Sequence, residues 1–166
     1  MVESVSALTT EKSIRLFEKF GIFTKAELES RAEILYEQYA KTINIEALTM
    51  VDIANKQLVP SVIEYTGMLA ETVNATKTAG GDATVASDLL KRVGGLLTSM
   101  QQERVELSTI EKIGSAMERG KEQAFYYREK VVPAMDKLRH SADELERIVD
   151  KDYWPFPTYA DLLFEV

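Results

Sequence analysis

The chain has 166 residues, 45% of them apolar, which is enough for one domain with a buried core. Against 27 acidic residues stand 20 basic ones, a net charge of −7 that disfavours nucleic acid and anionic membrane as partners. There is no cysteine, so disulfides, thiolate nucleophiles and cysteine-based metal centres are excluded together. No apolar run approaches the roughly 20 residues of a bilayer span, and Met1-Val2-Glu3-Ser4-Val5-Ser6 lacks the basic and apolar regions of a signal peptide. The expected compartment is cytoplasmic.

In chain order, the first predicted helix runs from about Thr10 to Phe20 and is closed by Gly21, the residue type favoured in a left-handed cap. Thr24 then precedes Glu27 by three, the spacing of a capping box in which hydroxyl and carboxylate each satisfy an orphan backbone N–H. A long helical stretch runs on to about Ala79. Its residues Ala47, Val51, Ala54, Leu58, Val62, Tyr65, Leu69 and Val73 recur every three or four positions as one apolar stripe. Pro60 should kink it by removing a backbone donor and crowding the preceding turn. Asn44 either caps a new helix or rides inside one long bent one.

Gly80-Gly81-Asp82 predicts a turn, with Asp82 placed to cap the next helix. Beyond it Leu89, Val93, Leu96, Met100, Leu107 and Ile110 carry the next stripe. Met117, Ala124, Val131, Met135, Leu138, Ala142, Leu145 and Val149 continue it. Read literally this is a single helix about 100 Å long at 1.5 Å per residue. A compact chain would fold it back once, either at Ser108-Thr109, where Ser108 precedes Glu111 by three, or between Gly114 and Gly120, and the second is favoured. Pro133 should bend the last helix as Pro60 bends the earlier one, and the two Val-Pro pairs hint at an internal echo.

The expectation is an all-α, up-and-down antiparallel bundle of long, proline-kinked helices. Its predicted parts are a short helix and turn (1–23), the bundle (24–150), and an extended aromatic tail (151–166). Pro155 and Pro157 exclude a helix through the start of that tail. Five of the 14 aromatic residues fall there: Tyr153, Trp154, Phe156, Tyr159 and Phe164. Burying them would contribute at most on the order of 10 kcal/mol, so the tail should dock on protein, and these five are the candidate interaction residues.

Patterns that carry chemistry are scarce. No phosphate-binding glycine loop occurs, and Gly94-Gly95, inside an apolar helical pattern, reads as a close helix–helix contact. A di-iron bundle needs histidines on two helices, and His140 is alone, read as a solvated helix residue although Asp136, Asp143 and Glu144 lie near it in sequence. There is no Gly-x-Ser-x-Gly elbow to support a Ser/His/Asp triad. Glu103 with Glu106 and Glu118 with Glu122 read as solvated faces. Glu103 falls in the seam between Met100 and Leu107, where it would pair with a base or mark an open edge. Phe125-Tyr126-Tyr127-Arg128, flanked by Lys121 and Lys130, could stack on single-stranded nucleic acid, but in an acidic chain core packing is the better reading. No catalytic, cofactor-binding or metal residue emerges.

Three segments in this order carry a family resemblance. The first is Glu11-Lys12-Ser13-Ile14 through Ile22-Phe23 to Lys25-Ala26-Glu27-Leu28-Glu29-Ser30-Arg31. The second is Asn44-Ile45-Glu46-Ala47-Leu48-Thr49-Met50, running on to Gln57-Leu58-Val59-Pro60. The third is Tyr126-Tyr127-Arg128 with Val132-Pro133-Ala134-Met135, then Tyr153-Trp154-Pro155-Phe156-Pro157-Thr158-Tyr159. Together they resemble the C-terminal part of type III glutamine synthetases over nearly the whole chain. The resemblance implies a parent enzyme that joins ammonia to glutamate with ATP cleavage, using Mg or Mn, in a ring of subunits. Its catalytic core would lie upstream of Met1, and none of its motifs is present. The implied role here is structural, with the catalytic core of the same polypeptide and neighbouring subunits as partners. A regulatory bundle sensing a ligand between helices fits the same residues. The alternative from another class is a free-standing helical adaptor whose stripes recognise partner helices; a complete small enzyme ranks last.

Overall fold

In a computed structural model the chain is helical, and no strand occurs among the described residues, 2–157 and 159–164. The side chains of Tyr159, Ala160 and Phe164 lie outside that description.

Helix α1 (Val2–Leu8) precedes every element expected from the sequence. Helix α2 (Glu11–Lys19) starts where expected: Thr10 is its N-cap, and the Thr10 Oγ1 accepts from the Ser13 N–H at 3.3 Å. It ends on Gly21 at φ 61°, with the Ile22 N–H donating to Phe17 O at 3.0 Å. The capping box also forms. The Thr24 N–H donates to Glu27 Oε2 at 2.8 Å and the Glu27 N–H to Thr24 Oγ1 at 3.4 Å. The backbone bond from Thr24, then its hydroxyl, holds the Glu27 carboxyl below its ordinary range.

Helix α3 (Lys25–Ile53) runs through Asn44 without a break. Pro60 lies at the start of α4 (Val59–Thr78), directly after a π-helical turn, Ala54–Leu58, closed by the Val59 N–H on Ala54 O. The expected disturbance at the proline is therefore this turn, one residue wider than an α-turn, set just ahead of the ring. The same device recurs. Helix α6 (Lys121–Tyr126) passes into a π-turn, Tyr127–Val131, and then α7 (Val132–Glu146) with Pro133 as its second residue. The echo of the two Val-Pro pairs is thus structural.

Gly80 (φ 78°) and Asp82 form the turn into α5 (Thr84–Ser115), and Asp82 Oδ1 accepts from the Thr84 N–H at 2.9 Å and its hydroxyl at 2.6 Å. Ser108-Thr109 is helical, and the break falls at residues 116–120, inside the favoured interval. Gly120 enters α6 at φ 133° and ψ −154°, a conformation closed to side-chain-bearing residues. After α7 the chain turns through residues 147–157 and closes with a short helix, α8 (Tyr159–Phe164), which the extended-tail expectation did not contain.

The residues form two compact units, one made of the chain up to Thr49 with Ser108–Ala134, the other of Met50–Leu107 with the chain from Met135 onward. The first packs Val2, Val5, Ala32, Tyr36 and Ala124, with Tyr39 and Phe125 against them. In the second, Leu58, Val62, Tyr65, Leu69 and Val73 of the predicted stripe are buried, as are Val93, Met100, Leu107, Leu138, Leu145 and Val149.

Glycine contacts differ from expectation. A Cβ built on Gly94 or Gly95 meets nothing within 4 Å, so neither marks a close helix contact. The close approach is at Gly114, where a Cβ would stand 3.1 Å from ring carbons of both Tyr126 and Tyr127.

Candidate functional site

The tail is the candidate that the sequence singled out. Tyr153 packs on Tyr65 of α4, ring centroids 5.4 Å apart and tilted by 55°. Burial first, then the charge of Asp150 and the neighbouring Tyr153, pushes the Tyr65 phenol up. Trp154 is half-buried, its backbone N–H shared between Asp150 O and Lys151 O, while Phe156 stays 36% exposed. Tyr159 and Phe164 have side chains outside the described residues. Lys151 pairs with Asp161 across the proline segment. The outer residues of α8, Leu162 and Leu163, are 70% and 74% exposed. Among the described residues Tyr153 therefore anchors the tail, and an apolar edge remains open to water.

Residues weighed for chemistry are scattered. His140 is exposed, and no three His, Cys, Asp or Glu side chains gather for a metal among the described residues. Glu118 and Glu122 are exposed, and Glu106 pairs with Lys137 at 3.2 Å. Glu103 follows neither reading: its Oε2 is buried without a hydrogen-bond partner among the described residues. Glu103→Met, which keeps the length and removes the orphaned oxygen, should raise unfolding stability by about 1 kcal/mol. Denaturant midpoints check it, and a drop would mean that the carboxylate has a use. The aromatic cluster packs as core: Tyr127 is 1% exposed, Phe125 lies 6.4 Å from Tyr36, and Arg128 reaches the surface.

Concavities in the first unit were not legible in the sequence. One, about 400 Å³, is apolar and lies between α1 and α3, lined by Val2, Val5, Leu35, Tyr36, Tyr39 and Ile43. Another, about 140 Å³, is polar and is lined by Glu37, Lys41, Asn44, Arg119, Gln123 and Tyr127. Its wall is built around the break before α6. Gln123, 8% exposed, donates from Nε2 to Gly114 O at 3.0 Å, and the Tyr127 hydroxyl donates to Asn44 Oδ1 at 3.1 Å. Burial above all, with the nearby charge of Glu111, pushes that phenol up, so it stays a donor. Lys41 bonds Glu37 Oε2 at 2.9 Å and, with Arg119 farther off, holds the Glu37 carboxyl below its ordinary range. In the sequence Glu37 and Lys41 are one more exposed helix pair. Only the buried glutamine opposite makes them part of a wall.

Comparison with known proteins identifies the family. The glutamine synthetase C-terminal domain matches over residues 1–77. A glutamine synthetase of Butyrivibrio fibrisolvens is 35% identical over 159 residues, 95% of this chain and 23% of that protein. This chain is homologous to the C-terminal part of glutamine synthetase. The type-3 glutamine synthetase of Dictyostelium discoideum is 29% identical over 98% of this chain and 23% of its own length. A glutamine synthetase of Bacteroides fragilis is 28% identical over 86% of this chain and 20% of its own length. The chain thus spans between a fifth and a quarter of these ligases. No helix among the described residues is long and apolar enough to cross a membrane.

Proposed function

We propose that this chain is the non-catalytic C-terminal segment of a type III glutamine synthetase, with a structural role in bracing the enzyme. The observation that carries this reading is the coverage: nearly all of the chain aligns with such enzymes, yet it accounts for less than a quarter of their length. The reaction of the whole protein, ligation of ammonia to glutamate with ATP cleavage, would then belong to the remaining three quarters. ATP and the divalent metal would be held there too. Partners would be the catalytic core of the same polypeptide and neighbouring subunits of a ring, in the cytoplasm. An up-and-down antiparallel bundle, with the breaks between helices at residues 79–83 and 116–120 as its turns, would suit such a brace.

The open edge of the tail supports the docking half of the reading. Phe156, Leu162 and Leu163 leave apolar area in water that a neighbouring protein surface would cover. Removing residues 153–166 from the full-length enzyme is expected to lower the assembled fraction in sedimentation and the melting temperature. Unchanged assembly and melting would sink the docking role. The apolar cavity beside α1 favours a second reading, a free-standing adaptor that accepts a partner helix. Capture of helical peptides by the 166-residue chain, with no catalytic region encoded in the same gene, would favour it.

A further inference from the structure

We infer that the polar cavity between Glu37, Asn44, Arg119 and Gln123 binds a free α-amino acid, taking its carboxylate at Arg119 and Asn44 and its ammonium at Glu37 and Gln123. The inference is independent of the bracing role.

The cavity offers donors and acceptors as two separate sets. On the donor side, Arg119 gives no hydrogen bond to any described residue. Asn44 uses only its Oδ1, on the Tyr127 hydroxyl, so its amide N–H groups are open. On the acceptor side, Lys41 occupies Oε2 of Glu37 and leaves Oε1 unused. Gln123 spends its Nε2 on Gly114 O and Met117 O, which fixes the amide and leaves Oε1 without a donor. Neither Asn44 nor Gln123 is sealed from solvent on that unused side, since among the described residues the only buried side-chain polar atom without a partner is on Glu103. A guanidinium recognises a carboxylate through paired charge-assisted bonds, and a carboxylate with an amide oxygen suits a primary ammonium.

Charge pairing selects the zwitterion. Lys41 also lines the cavity but is engaged with Glu37 Oε2, so a simple cation would meet Arg119 and a simple anion would leave Glu37 Oε1 unmatched. Size agrees: a cavity near 150 Å³ holds about six non-hydrogen atoms, as benzene does, which matches the backbone atoms of an amino acid with its Cβ. The side chain has an exit, because an adjoining cavity of about 440 Å³ shares Glu37 and Arg119 as lining and extends toward Glu33 and Lys121. Tyr127, 1% exposed and bonded to Asn44, ties the cavity wall to the core of its unit.

The test is calorimetric titration of the 166-residue chain with each standard amino acid, and with propionate and propylamine as carboxylate-only and ammonium-only probes. At least one amino acid should bind with a Kd of about 1 mM or tighter, and both single-charge probes should bind about tenfold more weakly or not at all. Arg119→Ala, at an exposed side chain, and Glu37→Gln, at a half-buried one, should each weaken that amino acid about tenfold while circular dichroism shows the free chain still folded. The inference is overturned if no amino acid gives a binding heat, if propionate or propylamine binds as well as the zwitterion, or if both variants bind like the original chain.

Discussion

Tyr127→Ala is expected to cost about 3–5 kcal/mol of unfolding free energy, a large share of the roughly 5–15 kcal/mol that holds a domain together. The ring is 1% exposed and is the largest fully buried side chain among the described residues. It fills the space that Gly114 leaves, with ring carbon Cε2 3.1 Å from where a Cβ would stand. Its hydroxyl also satisfies Asn44 at the wall of the polar cavity. Two losses are therefore combined, and Tyr127→Phe separates them. The phenylalanine keeps the packing and should cost only about 0.5–1.5 kcal/mol. Urea denaturation of the three proteins decides the matter. An alanine variant losing under about 1 kcal/mol would show that the site collapses around the gap.

Leu107→Ala should cost about 2–5 kcal/mol by the same cavity argument. Leu107 is 0% exposed and belongs to the other compact unit, alongside Met100 and Val93. The matched control is Leu163→Ala at 74% exposure, which should stay within about 0.5 kcal/mol of the original chain. Trp154, the single tryptophan, sits in the same unit as Leu107 and gives the fluorescence readout. Equal losses from both leucines would mean that the exposed face of α8 is covered in solution.

Much of the helical plan was legible because it is written in period. Of the eight stripe residues from Ala47 to Val73, all but Val51 are buried, since a helix facing a core must repeat its apolar positions at its own pitch. Capping was equally readable at Thr10, Thr24 and Asp82, where short polar side chains bond to neighbouring backbone. Helix α1 escaped because its signal is two valines three apart, too little to declare a turn whose stability comes from Tyr36 and Ala124. Glycine contacts failed for a related reason. An apolar pattern places Gly94, Gly95 and Gly114 in helices but does not say which of them a neighbour approaches. The polar cavity was invisible because its walls come from residues 37–44 and 115–127, brought together only by the turn at 116–120.

The paired π-turns have a bearing on how this sequence can change. A π-turn is an α-helix that carries one residue too many. Losing a single residue from Ala54–Leu58 would restore the regular ladder without rotating the faces downstream. It would also bring the carbonyl four positions back against the ring of Pro60. The deletion and the proline are thus mutually exclusive. The proline locks the extra residue in place, and a lineage could shed that residue only after Pro60 had first been replaced. Val132-Pro133 imposes the same order of events on Tyr127–Val131. The length of these two helices is held by a steric latch as well as by the packing of their apolar faces.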